Sequence, residues 1–143
     1  DPTHPNRLAP GKVPLHTLIA SIAFRDEKLW GVLGCMGADG QPQIQLQCYL
    51  AMLDYGFDIQ EAVEMPRFIS GRFGIGEARD KLYLEGRYPT QTIQELEERG
   101  HTLECWENWN ELAGHAHGIF IDHKSGALMG GSDPRSDGAA IGY

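Results

Sequence analysis

Residues 34–53 read GCMGADGQPQIQLQCYLAML. Gly34, Gly37 and Gly40 recur at intervals of three. An almost wholly apolar run, KLWGVLGC at residues 28–35, precedes them, and a helix-like run follows. A glycine-rich bend between a strand and a helix holds a phosphate, holds an oxyanion, or turns the chain. The phosphate reading fails on spacing. A dinucleotide fingerprint needs GxGxxG, whereas this bend is GxxGxxG. A P-loop needs Gly-Lys-Ser/Thr, whereas this helix opens on Gly40-Gln41-Pro42, and Asp39 would set a carboxylate against the phosphates. The oxyanion reading asks only for backbone N–H groups beside a helix N-terminus, where the dipole favours negative charge. Gly37 and Ala38 are small enough to let a substrate approach that backbone. The bend alone leaves the oxyanion hole and the plain structural turn both open.

Working outward, LHTLIASIAF (15–24) and KLWGVLGC are joined by the charged turn RDEK and read as a hairpin. The second strand, almost wholly apolar, is expected to be buried on both faces. After the bend, a helix is expected from about Pro42, since proline suits a first helical turn. Ile44, Leu46, Tyr49, Leu50 and Leu53 form its apolar stripe and Gly56 its stop. Asp58 and Glu61 have capping-box spacing for a second, short helix that ends before Pro66. FISGRFGIGEARD (68–80) reads as glycine-rich loop, KLYLEG as a strand, PTQTIQELEERG as a helix and HTLECWENW as a strand. HAHGIFIDH, KSGALMGGS and DGAAIGY read as two or three strands. Helices grouped between sequential strands predict an α+β layer packing rather than an alternating βαβ sheet. Residues 1–143 are expected to form a single domain. The first fourteen residues carry four prolines and read as extended chain.

Composition excludes several classes. With 41% hydrophobic and 22% charged residues, the chain is ordinary for a globular protein. Twelve Lys and Arg against twenty Asp and Glu leave a net charge of −8, which argues against a nucleic-acid partner. No apolar run approaches the roughly 18–20 residues of a membrane span, so no membrane partner is expected. Cys35, Cys48 and Cys105 lie far apart without a CxxC motif. Cys48 and Cys105 read as packing, and Cys35 as a nucleophile for which no base is placed. His115 and His117 form an H-x-H on one strand face, a metal-ligand spacing that lacks an acidic or cysteine partner, so no metal is expected. Trp106 and Trp109 read as packing. SDPRSDG (132–138) reads as a tight turn, with Asp133 and Arg135 as its charged pair.

Several stretches together resemble one family. PGKVPLHTL (10–18), GADGQPQIQLQ (37–47), LDYGFDIQEAVEMPRF (53–68), Gly100-His101 and GALMGGSDPRSDGAAIGY (126–143) stand in the order and spacing of the small subunit of γ-glutamyltranspeptidases. The resemblance covers Pro10 to Tyr143. GQPQIQ looks closer to the acylase-like branch than to the glutathione-degrading enzymes, which tend to carry PGGSR there. The resemblance implies part of an N-terminal-nucleophile αββα sandwich, made by autocleavage of a zymogen into two subunits. It implies attack on a γ-glutamyl amide by the small subunit's N-terminal Thr, whose own α-amino group is the base, and transfer to water or an amino acid. It implies no cofactor.

Carried over by residue, the resemblance sets His16 and Thr17 at the pocket for the donor's α-carboxylate and Gly37 and Ala38 as the oxyanion N–H donors. Met36 stands where the family usually has Pro, and Val13 where it commonly has Arg. The segment 131–143 is structural by the same comparison. The expected partners are the remainder of the small subunit and the large subunit of the same precursor, with a γ-glutamyl small molecule as substrate and an oligomer as the assembled state. No residue here matches the family's Thr, so the chain by itself is expected to lack the nucleophile and be inactive. The alternative is a non-catalytic module of the same fold. The compartment is left open between the cytoplasm, favoured by the acylase-like branch, and the periplasm or exterior.

Overall fold

The computed structural model describes residues 1–71 and 79–143. Residues 72–78, inside the stretch read as glycine-rich loop, lie outside the described residues. β1 (Ala20–Arg25) and β2 (Lys28–Met36) form the expected antiparallel hairpin. β6 (His115–Ile121) pairs with β2 and β7 (Leu128–Ser132) with β6, giving a sheet ordered β1-β2-β6-β7. α1 (Gln41–Asp54) and α2 (Ile59–Glu64) cover one face of it. Asp58 Oδ1 accepts from Glu61 N–H at 2.8 Å and Glu61 Oε2 accepts from Asp58 N–H at 2.9 Å. This is the reciprocal capping box read from the spacing.

The core between helices and sheet is Leu33, Ile44, Cys48, Ala51, Ile59, Ala62, Val63, Ala116 and Phe120. Each large member contributes about 1.5–3 kcal/mol by leaving water. Trp30 closes one end, its ring 4.9 Å from Phe120 and edge-on to it. α2 sits close because its neighbours on the sheet, Gly118 and Gly131, are paired and have no side chains. A Cβ on Gly131 would lie 2.8–2.9 Å from Ile59, two of the three contacts being backbone atoms. Gly131→Ala is therefore expected to force α2 outward and lower stability by about 1–3 kcal/mol, read by urea unfolding.

Three local expectations differ. β2 is buried on one face only: Gly31 and Leu33 are buried while Val32 between them is exposed. The exposed row continues across the sheet through Ile22, Val32 and Ile119, so the apolar run reflects two unlike faces, one under helices and one bare. α1 buries Gln41, Ile44, Gln45, Cys48 and Ala51, not the leucines. Leu46, Leu50 and Leu53 are 40–58% exposed. Two of them line a groove of about 350 Å³ with Tyr55, Met65 and Phe68. The smaller residues win the sheet-facing side because they let the helix lie close. Finally, residues 15–19 and 137–143 are not strands, and both are exposed.

A second sheet, β3-β4-β5, comprises β3 (Phe68–Ser70), β4 (Lys81–Glu85) and β5 (Thr102–Trp106). β4 and β5 are parallel, linked through α3 (Thr90–Glu98). One βαβ unit thus sits inside an otherwise α+β chain, because parallel neighbours need a crossover and α3 supplies it.

Candidate functional site

Between β2 and α1 the chain makes one 3-10 turn, Ala38–Gly40. Gly37 precedes it at φ 149° and ψ 24°, a conformation open to glycine. A Cβ there would lie 2.5 Å from Ile44 Cδ1. Ala38 follows at φ 45°. That is the left-handed region, which disfavours a side chain by roughly 1–2 kcal/mol. Gly37 C=O accepts from Gly40 N–H at 2.8 Å and so points into the turn. In a trans peptide the N–H is opposed to the C=O, so Ala38 N–H points out of the turn, away from its own helix. The oxyanion reading needs a donor with this aim, at a helix start where the dipole is favourable.

His16 and Thr17 lie on the exposed strap that leads into β1. The first turns of α1 tie this strap to the bend. Gln41 Nε2 donates to Thr17 C=O at 3.0 Å and to Ala38 C=O at 3.2 Å, while Gln41 Oε1 accepts from Ile19 N–H at 3.3 Å. Gln45 Nε2 donates to Ile19 C=O at 2.9 Å. Both glutamines are buried. The structure thus brings Thr17 to the bend through one amide, a link across 24 residues that the apolar pattern of α1 does not carry.

Below the bend lies a buried ionic network. Arg67 Nη2 pairs with Asp133 Oδ2 at 2.6 Å, and Arg135 pairs with Glu85 at 2.5 Å and with Asp133 at 3.0 Å. Arg67, Glu85 and Asp133 are at most 1% exposed. Arg67 Nη1 also donates to Ala113 and Gly114 C=O at 3.1 and 2.8 Å, and Ala116 N–H donates to Asp133 Oδ2 at 2.8 Å. Gly114 Cα in turn lies 3.7 Å from where a Cβ of Gly37 would be. The PRF and SDPR elements therefore brace the entry to β6, against which the bend rests. Burial pushes the Glu85 carboxyl up, but the bond and charge from Arg135 and the Arg67 N–H outweigh it and hold it below the usual range. Asp133 is likewise raised by burial and held low on balance, chiefly by the Arg67 guanidinium and by two backbone N–H groups. Glu85 had no signal in the sequence: apart from Arg87 two residues on, its partners Arg67, Asn110 and Arg135 lie 18, 25 and 50 residues away.

The other candidates part from the bend or lose their chemistry. Cys35 is half-buried, its thiol 3.5 Å from Gln41 C=O, and burial pushes its pKa up to about 11. At neutral pH it is a thiol, ill-suited to nucleophilic attack. Cys105 is exposed. Iodoacetamide at pH 8 is expected to label Cys105 well before Cys35, which peptide mapping by mass spectrometry checks. His117 Nδ1 lies 3.3 Å from Ser132 Oγ, and among the described residues no three His, Cys, Asp or Glu side chains group to hold a metal. Trp106 stacks on Tyr83 at 5.1 Å, and Trp109 carries the Arg87 guanidinium at 3.4 Å.

The chain has the fold of part of an N-terminal-nucleophile hydrolase, as its superposition on solved acylase and gamma-glutamyltranspeptidase structures shows. The cephalosporin acylase of Bacillus halodurans superposes over 100% of this chain and 26% of its own, with a TM-score of 0.77 and 30% identity. The family model described as gamma-glutamyltranspeptidase matches residues 1–143, and the chain belongs to that family. It is 43% identical over 143 residues to the oxamate amidohydrolase proenzyme of Klebsiella pneumoniae. It is 41% identical over 142 residues to the glutathione hydrolase-like YwrD proenzyme of Bacillus subtilis. These matches cover 100% and 99% of the chain but 27% of each relative, so the chain spans about a quarter of their length.

Proposed function

We propose that these residues are the oxyanion-holding and carboxylate-holding part of an autocleaving amidase that hydrolyses γ-glutamyl amides or transfers their acyl group to an amino acid. The observation that carries this is the outward-aimed Ala38 N–H on a bend tied through Gln41 to Thr17, in a chain of this family. The Thr segment and the large subunit come from the rest of the same precursor. The Thr hydroxyl adds to the amide carbonyl while its α-amino group takes the proton. The oxyanion that forms is held by Gly37 and Ala38 N–H. Its collapse breaks the C–N bond, the leaving amine takes the proton, and water or an amino acid then resolves the ester. His16 and Thr17 hold the donor's α-carboxylate.

A second reading has its own support: the relative at 43% identity is an oxamate amidohydrolase. Oxamate also joins an amide to a carboxylate, but on adjacent carbons, which needs the two holding elements closer together. The complete precursor should be expressed, its self-cleavage followed by gel, and the product assayed on γ-glutamyl-p-nitroanilide, a cephalosporin-type amide and oxamate. Release of p-nitroaniline supports the main reading, and ammonia from oxamate alone supports the second. A self-cleaved protein that turns over none of the three supports a non-catalytic module.

A further inference from the structure

The strap at residues 15–19 pairs with no strand among the described residues and is exposed throughout. Its backbone is nevertheless held at three points, all by two glutamines of α1. Gln41 differs from Gln45 in one respect. Gln45 touches the strap and the Cys35 thiol, whereas Gln41 divides its two N–H donors between the strap and the bend. Ala38 C=O, one of its acceptors, also accepts from the Gln41 backbone N–H, so the main chain and the side chain of one residue together hold the residue whose N–H faces outward. We propose that Gln41 is a positioning residue that sets the spacing between the carboxylate-holding strap and the oxyanion-holding bend, and thereby selects donors by the distance between carboxylate and amide. This rests on the γ-glutamyl reading above.

The physical ground is that an amide side chain sets two N–H donors and an acceptor oxygen in a single plane. All three capacities are used here. Methionine keeps the shape and loses every bond. Glutamate keeps the acceptor for Ile19 N–H but turns oxygen towards two carbonyls. Either change frees the strap to drift relative to the bend, and about 1 Å of drift is enough to lower a rate about 10²-fold.

The test uses the complete, self-cleaved enzyme, with active sites counted from the burst of p-nitroaniline. Gln41→Met is expected to raise KM and lower kcat together on γ-glutamyl-p-nitroanilide, with kcat/KM down about 10²-fold. Its preference for that substrate over 4-aminobutyryl-p-nitroanilide, which lacks the α-carboxylate, should shrink at least tenfold. Gln45→Met, which releases the strap and the Cys35 thiol but leaves the bond to the bend in place, should raise KM more than it lowers kcat. A merely structural glutamine would lower the count of active sites and leave both ratios alone. Unchanged kcat, KM and preference per active site in Gln41→Met overturn the inference and leave the γ-glutamyl reading intact. If Gln41→Met does not self-cleave, Gln41→Asn, which keeps the amide but shortens its reach, decides by the same ratios. A wild-type enzyme that self-cleaves and spares γ-glutamyl-p-nitroanilide overturns the reading and the inference with it.

Discussion

Arg135→Met is expected to destabilise the fold by about 3–5 kcal/mol, because it removes the guanidinium that two buried carboxylates share, leaving Asp133 with Arg67 alone and Glu85 with the partly exposed Arg87 alone. Arg135 pairs with Glu85 at 2.5 Å and Asp133 at 3.0 Å, and its remaining donors reach Val63 and Met65 C=O at 2.9 and 2.8 Å. Removing it takes the guanidinium donor from Met65 C=O, while Val63 C=O keeps Arg67 Nη2 at 3.0 Å. Urea unfolding at pH 7 reads the loss. Acid changes it in a definite direction. In the wild type both carboxyls are held below their unfolded values. Their contribution is therefore present above the ordinary carboxylate range and is lost as pH falls through the depressed values. In the variant the same burial acts with Arg135 gone, which favours protonation. The gap between wild type and variant should thus narrow on acidification. A gap that widens towards low pH would show that the carboxylates are not what Arg135 compensates. Glu85→Gln added to Arg135→Met should return part of the lost stability.

Gly37→Ala in the complete enzyme is expected to lower kcat by about 10²–10³-fold, the effect of losing one oxyanion donor. The added methyl would sit 2.5 Å from Ile44 Cδ1, and φ 149° is hostile to any side chain. Ile44 is wholly buried, so the bend must move instead of the isoleucine. Ile44→Val in the same chain removes that Cδ1 and should restore part of the rate, leaving the backbone strain. Ala38→Gly is the counterpart. It keeps both N–H groups and relieves the left-handed strain. Its kcat should stay near wild type while stability rises by up to about 1 kcal/mol. Equal losses in Gly37→Ala and Ala38→Gly would disprove the oxyanion role of the bend.

Those predictions rest unequally on what could be read from the chain. The hairpin, the helix after the bend, the capping box and the strands at 81–85 and 102–106 all follow from spacing over a few residues, and all are present. The two apolar faces of α1 were harder. Periodicity marks Leu46, Leu50 and Leu53 as readily as Ile44, Cys48 and Ala51, and period alone does not say which face meets the sheet. Small side chains allow the closer approach, so the leucines stayed outside. β2 misled for a related reason: an apolar run looks the same whether its second face is covered or bare.

The bend shows the limit most sharply. Glycine spacing ruled out phosphate, and the order of motifs along the chain named a family, because both are carried by neighbours in sequence. The role of Gln41 and the presence of Glu85 in the brace were not legible there. Gln41 looks like one of four glutamines on a helix, and its partners Thr17 and Ile19 lie 24 and 22 residues away. Glu85 ends a strand, yet holds Arg135 across 50 residues. Residue types and local spacing are enough to shape turns, caps and element order, since those are set by bonds within one or two turns of chain. Which polar groups share a buried site is set by packing, where desolvation makes an unpaired charge or carbonyl untenable and so selects partners without regard to their separation.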